Sequence, residues 1–153
     1  MIGFKRILEN VLAHALVLLM GFMVLNVLWQ VFSRFVMDEP SPFTDELARF
    51  LMIWLGLLGA AYVSAKNGHV AIDVLAKRAN VKNQRMLKRL VCGFIILFCL
   101  AAMVTGGGWL VYTTYELKQQ SPALGLPLAY VYMVIPFSGL MVIYFKVTEI
   151  ITD

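Results

Sequence analysis

Charged residues are missing from four long apolar stretches, Asn10–Ser33, Phe50–Ala65, Leu90–Tyr115 and Gln119–Phe145. A hydrocarbon core of about 30 Å takes roughly 20 apolar residues of helix to cross. The pattern therefore predicts four transmembrane helices, at about 11–33, 46–65, 86–111 and 128–147, in one all-α membrane domain spanning 1–153. A barrel is excluded, because Leu16–Leu19 and Phe94–Leu100 are continuously apolar where a barrel strand would alternate. The breaks agree: Pro40 and Pro42 separate the first two spans, Asn83 can cap the third, and Pro122 and Pro127 precede the fourth. Pro136 falls inside the fourth span and predicts a kink.

Composition sharpens this picture. The 153 residues are 61% hydrophobic and 14% charged, against roughly 25% charged in a soluble domain. That leaves no room for a large extramembrane domain, so water-soluble cargo must be read by another chain. The run after Lys5 and Arg6 is nearly twice the roughly 7–15 residues of a signal-peptide core, and the first segment is expected to stay attached.

Ten of the 13 basic residues lie in the N-terminal tail, in 66–89 or at Lys146, and three, Arg34, Arg49 and Lys118, lie on the other side. Positive charge near span ends is retained in the cytoplasm, so both termini are expected there. These residues border spans, which assigns them to topology and to membrane lipid, with no nucleic-acid partner. Gly68–Arg78 mixes aliphatic and basic residues and predicts a short interfacial helix, with His69 and Asp73 as structural polar positions. Cys92 and Cys99 are seven apart on one helix, about 10 Å along its axis, too far for a disulfide.

No nucleophile–base set, paired-cysteine motif, metal-ligand spacing or phosphate loop is legible, so no enzyme activity and no cofactor or metal in this chain are expected. His14 and His69 leave a bis-histidine haem as one alternative. Gly106–Gly108 sits inside a span, where it permits close helix approach or bending. Asn26 and Gln30, one helical turn apart, either hydrogen-bond to neighbouring helices or contact substrate. Gly56, Ala60 and Ser64 form a small-residue ladder for a close neighbour, internal or from another subunit. The absence of similar halves with broken helices argues against a pore in this chain.

The first outer loop carries Arg34, Asp38, Glu39, Asp45, Glu46 and Arg49 and reads as an acidic face. It is either a helix-end charge network or a docking surface for a partner. Asp45 and Arg49, four apart, point to the structural role. Asp38, Glu39 and Glu46 point to docking.

Asn26–Phe35, Phe43-Thr44-Asp45-Glu46-Leu47-Ala48-Arg49, Trp54–Ala61, Lys66–Asp73, Ser121–Pro127, Tyr132 and Pro136 stand in an order and spacing that resembles the DctQ-type small membrane subunit of tripartite ATP-independent periplasmic (TRAP) transporters. The chain departs from that family at Phe43-Thr44, where a tryptophan often stands closer to the acids. The resemblance implies a bacterial inner-membrane subunit. Its implied partners are a large multi-span subunit, which holds the substrate and sodium sites and moves as an elevator, and a periplasmic substrate-binding protein that delivers an organic acid. The small subunit would brace the stationary scaffold. A self-contained four-span multidrug exporter is the other alternative, but it needs a titratable carboxylate within the first span, where this chain has none.

Overall fold

The computed structural model describes residues 2–36, 41–66 and 81–152. Asp38, Glu39, His69, Asp73 and the expected interfacial helix lie outside these residues. Helix α1 covers Ile2–Val36 and α2 covers Pro42–Ala65. Helix α3, Val81–Phe98, widens into a π-helical stretch, Cys99–Gly106, and continues as α4, Gly107–Glu116. Two further helices, α5 (Leu128–Tyr132) and α6 (Val134–Thr152), complete the chain.

Four stretches are long and apolar enough to cross a membrane: Lys5–Val36, Pro42–Ala65, Met86–Glu116 and Leu128–Ile151. They coincide with the four expected spans and extend beyond most of their ends. The 35 residues of α1 measure about 52 Å, so this helix tilts or continues past the hydrocarbon. Nothing in Lys5–Asn10 or Arg34–Val36 breaks a helix, and hydropathy alone therefore underestimates its length.

The helices do not pack in chain order. Helix α1 lies mainly on α2, α2 also packs on α6, and α6 packs on α3 and the π stretch. The last span is thus the central one. Leu12, Leu58, Ala65, Val134 and Phe145 join α1, α2 and α6, while Ala61, Cys99 and Val142 join α2, the π stretch and α6. Most of the large side chains of α1, among them Leu18, Leu25, Leu28 and Phe35, remain exposed.

Two irregularities meet at the crossing of the third and fourth spans. Pro136 has no N–H for the Tyr132 carbonyl, and the helix is interrupted at Met133 between α5 and α6. The Trp54 indole N–H donates to the Val131 carbonyl in this break at 3.1 Å. Opposite it, a Cβ on Gly107 would stand 2.7 Å from Ile135 Cγ2, and one on Gly139 would stand 2.7 Å from Met103 Cβ. Glycine is what lets the two spans approach, and the middle residue of the Gly106–Gly108 triplet makes that contact.

Candidate functional site

Polar chemistry collects at the two ends of the bundle. At the end where α1 passes to α2, the Asn26 amide donates to the Thr44 carbonyl at 2.9 Å, and the Gln30 amide donates to the Asp45 carboxylate. Both side chains of the one-turn pair thus reach across from α1 to the first turn of α2. Asn26 is buried, and that bond takes up one of its two amide N–H groups. Arg49 lies 3.7 Å from Asp45 with its own side chain largely exposed.

Glu46 sits one residue further on but turns elsewhere. Its Oε2 accepts the backbone N–H groups of Ala123 and Leu124, at 2.8 and 3.2 Å, and the Ser121 side chain bonds the same carboxylate. The expected docking acid is therefore engaged inside the chain, joining the start of α2 to the loop between α4 and α5. The physical reason is geometric. The turn at Pro122–Leu124 leaves two backbone donors pointing together, and a carboxylate satisfies both at once. Asp45 is also bonded but stays exposed, so both described acids of the expected face have partners within the chain. Arg34, Arg49 and Lys118 remain exposed there, with Glu116.

At the opposite end, Lys146 donates to Glu149 at 2.7 Å, both on α6 and both buried, and Lys88 of α3 lies 3.4 Å from the other Glu149 oxygen. Lys146, expected as a border charge of the fourth span, is instead enclosed in the bundle. Burial is tolerable because the ammonium and carboxylate meet directly.

The ladder on α2 divides. Gly56 and Ala60 are exposed, and a Cβ added at Gly56 would meet nothing within 4 Å, whereas Ser64 is buried. The first two members thus face outward, toward lipid or another subunit. His14 Nδ1 lies 2.7 Å from the Asn10 carbonyl of its own helix. No group of three or more His, Cys, Asp or Glu residues able to hold a metal occurs among the described residues.

Residues 23–153 match the family described as tripartite ATP-independent periplasmic transporters, DctQ component. The chain belongs to the DctQ family. The small permease protein SiaQ of a sialic acid TRAP transporter from Vibrio cholerae is 22% identical over 95% of this DctQ chain and 83% of its own. The C4-dicarboxylate small permease protein DctQ of Rhodobacter capsulatus is 36% identical over 62% of this chain and 41% of its own. An isethionate TRAP transporter permease protein, DctMQ, from Oleidesulfovibrio alaskensis is 29% identical over 65% of this chain, yet the match fills 16% of that longer protein. This DctQ chain is accordingly a multi-pass membrane protein, a small permease subunit of a TRAP transporter and not an enzyme. Neither the exporter nor the haem alternative gains support.

Glu149 and the partners of Glu46 were not singled out from the sequence. The spacing of Lys146 and Glu149, three apart on one helix, was the available signal for the buried pair. The Ser121–Pro122 start and Gly125 end of the turn were the signal for the second.

Proposed function

We propose that this DctQ chain braces the large multi-span subunit of a TRAP transporter in the bacterial inner membrane, with both termini in the cytoplasm. The observation that carries the reading is the outward apolar surface: most large side chains of α1, and Gly56 and Ala60 of α2, are exposed on helices long and apolar enough to cross a membrane. Small residues there let a partner helix come close, and α1 enlarges the footprint that resists tilting and sinking. The DctMQ relative, most of whose length lies beyond the match, supports a large permease partner.

The remaining parts follow from the division of labour. The described residues of this chain hold no charge at the middle of a span, so substrate and sodium sites belong to the large subunit. The relatives named for sialic acid and C4-dicarboxylates favour an organic acid as cargo. A periplasmic binding protein delivers it to the end that carries the α1–α2 hairpin and the loop between α4 and α5. Affinity purification of this chain from bacterial membranes tests the reading. It is expected to bring down the large subunit in comparable amount, and recovery of this chain only with itself would contradict it.

A further inference from the structure

At the end of the bundle opposite the α1–α2 hairpin, the ion pairs of α3 and α6 leave positive charge over. Buried Lys146 satisfies one oxygen of Glu149 at 2.7 Å, and Lys88 approaches the other at 3.4 Å. Two ammonium groups thus share one carboxylate. Arg89, the next residue of α3, is exposed, and no acid among the described residues pairs with it. The surplus extends along the sequence. Lys82 and Arg85 precede Arg89 on the same helix, and no Asp or Glu occurs from Val74 to Tyr115. Counting Asp153 with Glu149, the two spans carry five cations to two acids here. Glu9, the other described acid at this end, belongs to α1 and interacts with Lys66 of α2.

Arg89 stands directly before the charge-free run Leu90–Tyr115, at the level where hydrocarbon gives way to headgroups. Lys88, Arg89 and Cys92 of α3 border a shallow cleft with Glu149 and Ile150 of α6. One turn deeper than Arg89, Gly93 is exposed, and a Cβ built on it would meet nothing within 4 Å. Phe94 and Leu97 beside it are exposed as well. An open apolar notch therefore lies on the hydrocarbon side of the cations. Retention of positive charge on one side of the membrane explains why cations lie at this end. It does not require them to gather at one cleft, or one of them to be held by a buried carboxylate.

We propose that the cleft between α3 and α6 binds the phosphate of an anionic phospholipid, with Arg89 and Lys88 meeting the headgroup and the notch at Gly93 taking an acyl chain. Glu149 is the positioning residue. Its contact with Lys88 keeps that ammonium at the cleft, and Lys146 offsets its own charge, so the carboxylate does not repel the phosphate. The cytoplasmic leaflet as the source of the lipid rests on the proposed orientation, whereas the site itself does not. A lipid held there ties the ends of α3 and α6 to headgroup depth.

The test is native mass spectrometry of the full chain and of its complex with the large subunit, each in detergent micelles titrated with dioleoyl phosphatidylglycerol or dioleoyl phosphatidylcholine. The first phosphatidylglycerol is expected to bind at least about fivefold more tightly than phosphatidylcholine in both samples. Arg89→Gln should weaken it about fivefold, and Arg89→Lys should stay within about twofold. Arg6→Gln, an equal loss of charge at the same end but on α1, should also stay within about twofold. Equal affinity for the two lipids, or equal losses in Arg6→Gln and Arg89→Gln, would overturn the site. Binding to the chain that vanishes in the complex would assign the cleft to the large subunit and overturn it as well. Displacement of the lipid by an equal concentration of glycerol 3-phosphate would show a site for soluble phosphate and contradict the lipid. An inverted orientation would leave all these outcomes unchanged, because micelles have no leaflets.

Discussion

Lys146 and Glu149 meet at 2.7 Å with their side chains 1% and 7% exposed, and Lys88 brings a second ammonium to the same carboxylate from the neighbouring helix. Removing one member of a buried pair strands the other, which costs about 3–5 kcal/mol, whereas replacing both by apolar residues costs far less. Glu149→Leu should therefore destabilise the chain by about that amount, and Lys146→Met combined with Glu149→Leu should recover a large part of it. Equilibrium unfolding in detergent micelles measures both. A double variant as unstable as the sum of the singles would show that the charges do not act as a pair.

The contact of the third and fourth spans depends on Gly139. Its added Cβ would stand 2.7 Å from Met103 Cβ, whereas a Cβ on Gly108 would meet nothing within 4 Å. Overpacking of this kind costs about 1–3 kcal/mol. Gly139→Ala should lose about that much in the same unfolding assay, and Gly108→Ala should stay within about 0.5 kcal/mol or gain slightly from better helix propensity. Equal effects would mean that the crossing is looser than its geometry implies.

These two features also show where sequence reading stops. The four spans are legible because hydrocarbon admits few alternatives to a long apolar helix. The interruption before Pro136 follows from the missing N–H. Gly107 could be suspected from its place in a glycine triplet, but Gly139 stands alone between Ser138 and Leu140, and only its neighbour across the bundle gives it a role. Glu46 reads as one more acid at a helix start. Its bonds to Ala123 and Leu124 join residues 77 and 78 positions apart, and no local spacing encodes them. Lys146 reads as a border charge because its burial depends on how α3 and α2 pack around α6.

The exposed face of α2 separates folding from assembly. Ala60 is exposed and Gly56 has open space around it, so Ala60→Trp should change the unfolding free energy of the isolated chain by no more than about 0.5 kcal/mol. It should still lower co-purification of the large subunit severalfold, because a ring holds the partner backbone away. Substitution of an exposed apolar residue elsewhere, such as Leu18→Trp, is the control. Full recovery of complex from Ala60→Trp would assign that face to lipid.

Orientation can be read with single cysteines in a chain where Cys92 and Cys99 are replaced by alanine. Gln120→Cys should react with an impermeant maleimide added to intact cells, and Lys82→Cys should react only after the membrane is opened. Labelling of Lys82→Cys from outside would invert the topology and remove the loop between α4 and α5 from the periplasm.

Reconstitution into proteoliposomes reaches furthest. Uptake of a radiolabelled organic acid bound by the cognate soluble protein would be measured with the large subunit and this chain together, and with each alone, under an inward sodium gradient. The complete set is expected to accumulate substrate. This chain alone should give none, and the large subunit without it should fall at least about tenfold, as befits a mover deprived of its fixed scaffold. Sodium-driven uptake by this chain alone, or an undiminished rate in its absence, would contradict its role as the brace.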